Sequence, residues 1–153
     1  MNENNFILAF DPGRDKTGFA LVNFQGGLIF SGIFPTAERE NFFDMLLKNP
    51  GGIEKFIIEK NSCGCKNFLA GIKFIAVGNG THSKNFIEYV KNKTTLEIKI
   101  TDEKNTTLEA RKLYWKIHAP KFFERLLPEG LRVPPRILDD LAAWAIALNA
   151  VKG

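Results

Sequence analysis

Asp11 ends an apolar run, Phe6-Ile7-Leu8-Ala9-Phe10, and opens a glycine turn, Asp11-Pro12-Gly13-Arg14-Asp15-Lys16-Thr17-Gly18. A buried strand that delivers a carboxylate to its last position makes a rigid platform for a metal ion or a phosphate. Two further acidic sites, Asp102-Glu103 and Asp139-Asp140, fall where elements change. Hard oxygen ligands of this kind suit one or two divalent cations, Mg2+ or Mn2+, beside a phosphodiester; one cation polarises an attacking water and the other steadies the leaving oxygen. Asp11, Glu103 and Asp140 form the expected metal set. Asp102 and Asp139 are the alternatives at the second and third places, and Asp139 is counted with the catalytic acids. Each acid also fits ordinary structure, since Asp-Pro-Gly is common turn chemistry and Asp at a helix start is a common cap.

Groups that could hold phosphate surround these acids in sequence. Gly78-Asn79-Gly80-Thr81 follows a buried run, and its amides with the hydroxyls of Thr81 and Ser83 could cradle a phosphate; a plain strand–turn–helix link has the same spacing. Arg14, Lys16, Lys84, Lys104 and Arg111 flank the acids and could contact backbone phosphates, with Arg125, Arg132 and Arg136 extending that surface. Solvated charge is the alternative for each. Tyr114 and Trp115 read as packing residues.

The elements that must position these groups follow from periodicity. Phe6 to Phe10, Thr17 to Phe24 and Leu28 to Phe34 read as strands, and Gly26-Gly27 marks a hairpin, giving a three-stranded antiparallel meander with the first strand most central. Residues 37–48 read as a helix closed by Asn49-Pro50-Gly51-Gly52. Ile53 to Lys60 fits either a strand or a helical turn, and Asn61 to Lys66 reads as a loop. Ile72 to Val77 is a buried strand, a helix covers about Lys84 to Lys91, and a strand runs from Leu96 to Thr101. Thr106-Thr107-Leu108-Glu109 fits a capping box for the next helix, which stops before Pro120. Residues 120–138, with four prolines, read as an irregular loop. The last helix starts near Asp139-Asp140, and its alanines let the backbone lie close to a sheet. Helices acting as crossovers make strands one, four and five parallel. Their carboxyl ends, carrying Asp11, Gly78 and Asp102-Glu103, then share one edge, where such sheets place their sites.

Composition bounds the rest. The 153 residues suit one domain, 1–153, with a real core. A net charge of +4, from 21 Lys+Arg and 17 Asp+Glu, permits nucleic-acid binding without establishing it. Met1-Asn2-Glu3-Asn4-Asn5 lacks the basic region of a signal peptide, and the longest uncharged apolar stretch, Leu141 to Leu148, is too short to span a bilayer, so the cytoplasm is expected and no membrane partner. Cys63-Gly64-Cys65 lie too close for an ordinary disulfide framework, and no other cysteine completes a zinc site.

Taken together, these motifs resemble the YqgF/RuvX family of RuvC-like nucleases, in its Firmicutes-type branch. The matching pieces are Ala9 to Gly18, Val77 to Lys84, Asp102 to Arg111, and Asp139 to Ala143, in the family's order. Tyr114-Trp115 and the Leu126-Leu127-Pro128 to Pro134-Pro135 stretch match as well. The resemblance implies an α/β, ribonuclease H-like fold with a five-stranded mixed sheet flanked by helices. It implies a hydrolase that cleaves structured nucleic acid with a metal, in maturation of the pre-16S ribosomal RNA, with structured RNA favoured as partner and a DNA junction as the older family proposal. Its catalytic acids carry over to Asp11, Glu103 and one of Asp139 or Asp140. Residues 49–71 are longer than the family's usual connection. Glu59 resembles the fourth-strand acid of RuvC itself, although the strand at Ile72 to Val77 fits that place better and ends in glycine.

Two readings compete with this one. A nucleic-acid-binding module would keep the fold and the basic rim without turnover. Actin-like phosphotransferases also use an Asp-x-Gly turn after the first strand, but they clamp nucleotide between two domains and this chain is short for two. Monomer and homodimer both stay open.

Overall fold

The computed structural model describes residues 5–61, 67–128 and 131–153. The first four residues, residues 62–66 with the Cys63-Gly64-Cys65 pair, and residues 129–130 lie outside the described residues, as do the expectations placed on them.

Three runs fold as the antiparallel meander that their turns predict: β1 (Phe6–Pro12), β2 (Lys16–Asn23) and β3 (Leu28–Pro35). The ambiguous stretch after the first helix divides. Pro50–Phe56 coils into 3-10 turns, and Ile57–Lys60 becomes β4, antiparallel to β3. Further on, β5 (Ile72–Gly78) and β6 (Glu97–Thr101) run parallel to β1 and to each other. Among the described residues the mixed sheet therefore has six strands, in the order β4-β3-β2-β1-β5-β6. This corrects the five-stranded expectation. The extra strand is a short edge, half-buried at Ile57 and Glu59 and exposed at Ile58 and Lys60, too brief to declare itself by alternation alone.

Helices cover both faces. They are α1 (Arg39–Lys48), α2 (Ser83–Lys91), α3 (Thr106–Ile117), α4 (Phe122–Arg125) and α5 (Asp139–Lys152). The short α4 lies inside the stretch expected to be irregular. The capping box at Thr106 does not form. Asn105 precedes the helix in a left-handed turn, φ 68°, and the Thr106 hydroxyl donates back to the Glu103 carbonyl at 2.9 Å.

Strand alternation sorts the core by size. Phe6, Leu8 and Phe10 of β1 join Phe19, Phe34, Phe42 and Phe86 under α1 and α2, with Phe34 stacked on Phe42 at 4.1 Å. Ile7 and Ala9 point the other way, where Ala20, Ala76, Ala110, Ala143 and Ala147 pack under α3 and α5. Small side chains on that face bring the α5 backbone close to the sheet. Asp11, two residues beyond Ala9, inherits the same side.

Gly18 on β2 shows how close the approach is, because a Cβ there would collide with the Asp139 carbonyl at the start of α5. Gly18→Ala is expected to destabilise the protein by ~2–4 kcal/mol through overpacking against backbone that cannot yield. A shift in the urea midpoint at unchanged m-value checks it, and an unshifted midpoint would refute the tight seat. No helix among the described residues is long and apolar enough to cross a membrane.

Candidate acidic site

Three carboxylates line one cleft of about 320 Å3 at the carboxyl edge of the parallel strands. They are Asp11 from the end of β1, Glu103 from the turn after β6, and Asp139 from the first turn of α5, with Thr106, Thr107 and Arg111 of α3 on the facing wall. The turn after Asp11 is pinned from behind, since Thr36 donates its hydroxyl to the Gly13 carbonyl at 2.9 Å and its amide to the Asp15 carbonyl at 2.9 Å. Glu103 is held by its own backbone, where its amide donates to Asn79 Oδ1 at 3.1 Å and its carbonyl accepts from the Thr106 amide at 3.0 Å.

The glycines of Gly78-Asn79-Gly80 serve this acid. A Cβ at either position would run into the Glu103 carboxyl, so both glycines make room for that side chain. The space read as a phosphate cradle is thus occupied by a carboxylate. Ser83 turns its hydroxyl inward to the Gly80 carbonyl at 2.7 Å, while Thr81 stays exposed in the turn. Among the described residues, Glu103 Oε1 is buried with no hydrogen-bond partner. With both carboxyls ionised it faces Asp11 without a donor, and only a shared proton or a cation supplies what it lacks.

Crowding of like charge shows in the titration. Burial first, then the charge and hydrogen bonding of Glu103 and the charge of Asp139, push the Asp11 carboxyl from 3.8 up to about 7. Asp139 is raised as well, by burial and then by Asp140, with Lys16 opposing.

The structure separates the paired acids. Asp102 stays exposed, with Oδ1 accepting the Lys104 amide at 2.9 Å, while Glu103 enters the cleft. Asp139 enters the cleft too. Asp140, placed in the expected metal set, is fully buried and committed elsewhere: it accepts from Ser31 Oγ at 2.7 Å and from both terminal nitrogens of Arg136 at 2.7 and 3.2 Å. Arg136 also donates to Glu59 at 2.8 Å, and His118 Nε2 donates to the same Glu59 oxygen at 2.7 Å. Burial would raise the Glu59 carboxyl, but the hydrogen bonds and charges of His118 and Arg136 outweigh it and hold it below the usual range. Sequence reasoning missed Ser31 and the structural role of Arg136. The spacing of Arg136 four residues before Asp140 was the available signal.

Of the basic residues, Arg111 and the Asp140-paired Arg136 line the cleft, and Lys16 lies near enough to Asp139 to act on its charge. Arg14 projects into solvent beside Asp15 at 3.9 Å. Lys84 is exposed on the first turn of α2, and Lys104 lines a separate cavity with Asp102 and Asn105.

No protein-family profile matches the chain, and no curated protein matches it. Among solved structures it is similar to a ROK family transcriptional regulator described as a homologue of the E. coli MLC protein (TM-score 0.44, 12% identity, 74% of this chain and 31% of that one). It is also similar to a protein assigned as a sugar kinase from Cytophaga hutchinsonii (TM-score 0.39, 16% identity, 72% of this chain and 40% of that one). A third is a ROK family glucokinase from Streptomyces griseus solved with glucose and AMPPNP (TM-score 0.40, 11% identity, 77% of this chain and 38% of that one). The chain spans 31–40% of the length of these proteins, and likeness at this level transfers no activity. These findings correct the family reading. The YqgF/RuvX resemblance finds no matching profile or curated relative, and the similar structures are sugar kinases and a regulator. The nuclease, hydrolase, ribosomal-RNA-processing and junction-resolving expectations built on it fall with it.

Two measurements test this geometry. Arg136→Gln is expected to cost ~3–5 kcal/mol in urea unfolding, because it strands the buried Asp140 charge, with Arg136→Lys recovering part of the loss. An unchanged midpoint would exclude the ion pair. In metal-free buffer, Asp11 binds its proton more tightly folded than unfolded. Its contribution is therefore present below about pH 4 and lost as pH rises through about 7. Asp11→Asn is expected to flatten that decline and to exceed wild type at pH 8 by ~2 kcal/mol, allowing for partial exposure. Parallel pH–stability curves for the two proteins would contradict it.

Proposed function

We infer that the cleft binds a divalent cation, Mg2+ or Mn2+, and through it a phosphate-bearing ligand. One observation carries this reading. Asp11 and Glu103 face each other at close range, with a buried oxygen of Glu103 unpartnered, an arrangement that costs stability unless a positive charge enters. Hard carboxylate oxygens fit these two ions and not a soft metal.

Asp11 and Glu103 would hold the cation, with Asp139 contributing from the side. Among the described residues no three such side chains are already drawn into a ready-made cage. When bound, the cation supplies the charge that neutralises phosphate oxygens. The chain's own groups do the rest: Arg111 offers a guanidinium on the facing wall, Thr107 an exposed hydroxyl, and Lys16 a second cation at the rim. The phosphate can belong to a nucleotide or to a nucleic-acid backbone, which present the same oxygens.

Calorimetric titration with MgCl2 and with MnCl2 tests the site. Wild type is expected to bind, and Asp11→Asn and Glu103→Gln to weaken binding at least ~10-fold. Asp140→Asn would change stability more than affinity. With the cation present, an ATP analogue and a short oligonucleotide, each followed by thermal shift, distinguish the two phosphate sources. Cation binding that is absent, or that survives both substitutions, would overturn the reading.

A further inference from the structure

The two edges of the sheet are not equivalent. β4 is four residues long and joins β3 through an irregular register, so it presents no regular row of amides. β6 pairs with β5 without a register shift, contains no proline, and carries Ile100 at 63% exposure. Among the described residues no strand covers its outer side. We propose that β6 pairs antiparallel with β6 of a second copy of this chain, about a two-fold axis at Ile98, joining two sheets into one.

Backbone phase decides which groups are free. The Asn79 amide donates to the Thr101 carbonyl at 3.0 Å, so Thr101 turns its backbone groups toward β5. Alternate residues of a strand face the same way. Glu97 and Lys99 therefore also bond inward, while the N–H and C=O of Ile98 and Ile100 point out from the edge. A two-fold axis at Ile98 makes Ile98 opposite Ile98, and Ile100 opposite Leu96, the hydrogen-bonded pairs. It sets Glu97 opposite Lys99 at the intervening positions, where antiparallel side chains come closest.

Charge selects this register and this occupant. An axis at Glu97 would set Glu97 on Glu97, and one at Lys99 would set Lys99 on Lys99. An axis at Ile100 leaves Lys99 opposite Thr101 and forms no ion pair in the strand. An axis midway between residues opposes an outward-facing residue to an inward-facing one and pairs no backbone. At Ile98 the symmetry instead gives the Glu97–Lys99 contact twice. Both charges are available for it. Among the described residues neither forms an ion pair within the chain, and Lys99 lies 4.0 Å over the Phe74 ring, on the face it shares with Glu97. On the other face Leu96 and Ile98 pack against the phenylalanine core, and Leu96 of the second copy would extend that apolar row over Ile100. The contact uses each β6 once and so closes on itself, with the two acidic clefts at opposite ends of the joined sheet.

Analytical ultracentrifugation of the full chain from ~1 to ~100 µM tests the proposal, with wild type expected to form a dimer that dissociates on dilution. Glu97→Lys and Lys99→Glu, each alone, should weaken self-association about tenfold. Mixing those two variants should restore a dimer about as tight as wild type, because every facing pair is then of opposite charge; a purely structural effect of either substitution would not be relieved by mixing. Ile100→Pro removes an outward N–H that β5 does not use, and should abolish the dimer while circular dichroism shows the fold kept. In wild type, hydrogen exchange at the Ile98 and Ile100 amides should slow as concentration rises. Chelator and Asp11→Asn should leave the dimer unchanged, which separates this result from the fate of the cleft. A monomer throughout the range, or assemblies larger than a dimer, would overturn it. So would a dimer indifferent to the charge reversals or to Ile100→Pro, no gain on mixing, or exchange at those amides that ignores concentration.

Discussion

The close seat of α5 on the sheet is the constraint on which the rest depends. Its buried face sets Ala142, Ala143, Ala145, Ala147 and Ala150 among Leu141, Trp144 and Ile146, and the strands answer with Ala9, Ala20 and Ala76, so the helix lies close on the sheet. Gly18 removes the last obstacle where α5 begins. That contact brings Asp139 to the end of β1 and closes the cleft around Asp11. The opposite face could not have done this, because its phenylalanines hold α1 and α2 at a distance set by aromatic rings.

The same seat explains why two adjacent acids part. Successive residues in a first helical turn point about a third of a turn apart, so one of Asp139 and Asp140 must face the cleft and the other the sheet. The buried one needs a cation of its own, and Arg136 supplies it from within the chain, in bidentate contact reinforced by Ser31. Pairing is the cheaper solution at full burial, where a carboxylate without a partner costs several kcal/mol. By extending to Glu59, Arg136 also ties the edge strand β4 to the helix start. An arginine that holds Asp140 on both oxygens leaves it no free face for a metal ion.

Much of this was readable in the sequence, and the limits have physical reasons. Apolar runs and glycine turns marked the meander, the parallel strands β5 and β6 and the main helices, because those segments are long enough for periodicity to show. β4 stayed undecided between strand and helical turn, since four residues at an edge alternate too briefly, and α4 escaped because prolines surround its single turn. At the site, Asp11 was legible as the end of a buried strand. The choice of Glu103 over Asp102 was not, because it turns on a left-handed residue at Asn105 and on room made by glycines from another strand. Gly-Asn-Gly after a strand suggests a phosphate cradle when read alone. Only tertiary placement shows that a carboxylate from the next strand fills that space. Short motifs transferred poorly for the same reason: the pieces matching a nuclease family were turns and caps whose spacing ordinary structure also produces.

What remains is a cluster that local propensity does not require. Nothing in the fold needs Glu103 to lie against Asp11, since a hydrophobic or amide side chain would fill the room above Gly78 and Gly80 without mutual repulsion. The protein accepts a carboxyl pushed up to about 7 and a buried oxygen without a donor. Unfavourable arrangements of this sort persist where a ligand relieves them. The sign of the imbalance dictates the ligand's sign, because negative oxygens converge in a place from which water is partly excluded. A proton satisfies them at low pH. On the function proposed above, a small, hard, doubly charged ion would satisfy them at neutral pH, and the guanidinium of Arg111 in the same cleft would then meet an anion instead of competing for the same carboxylates.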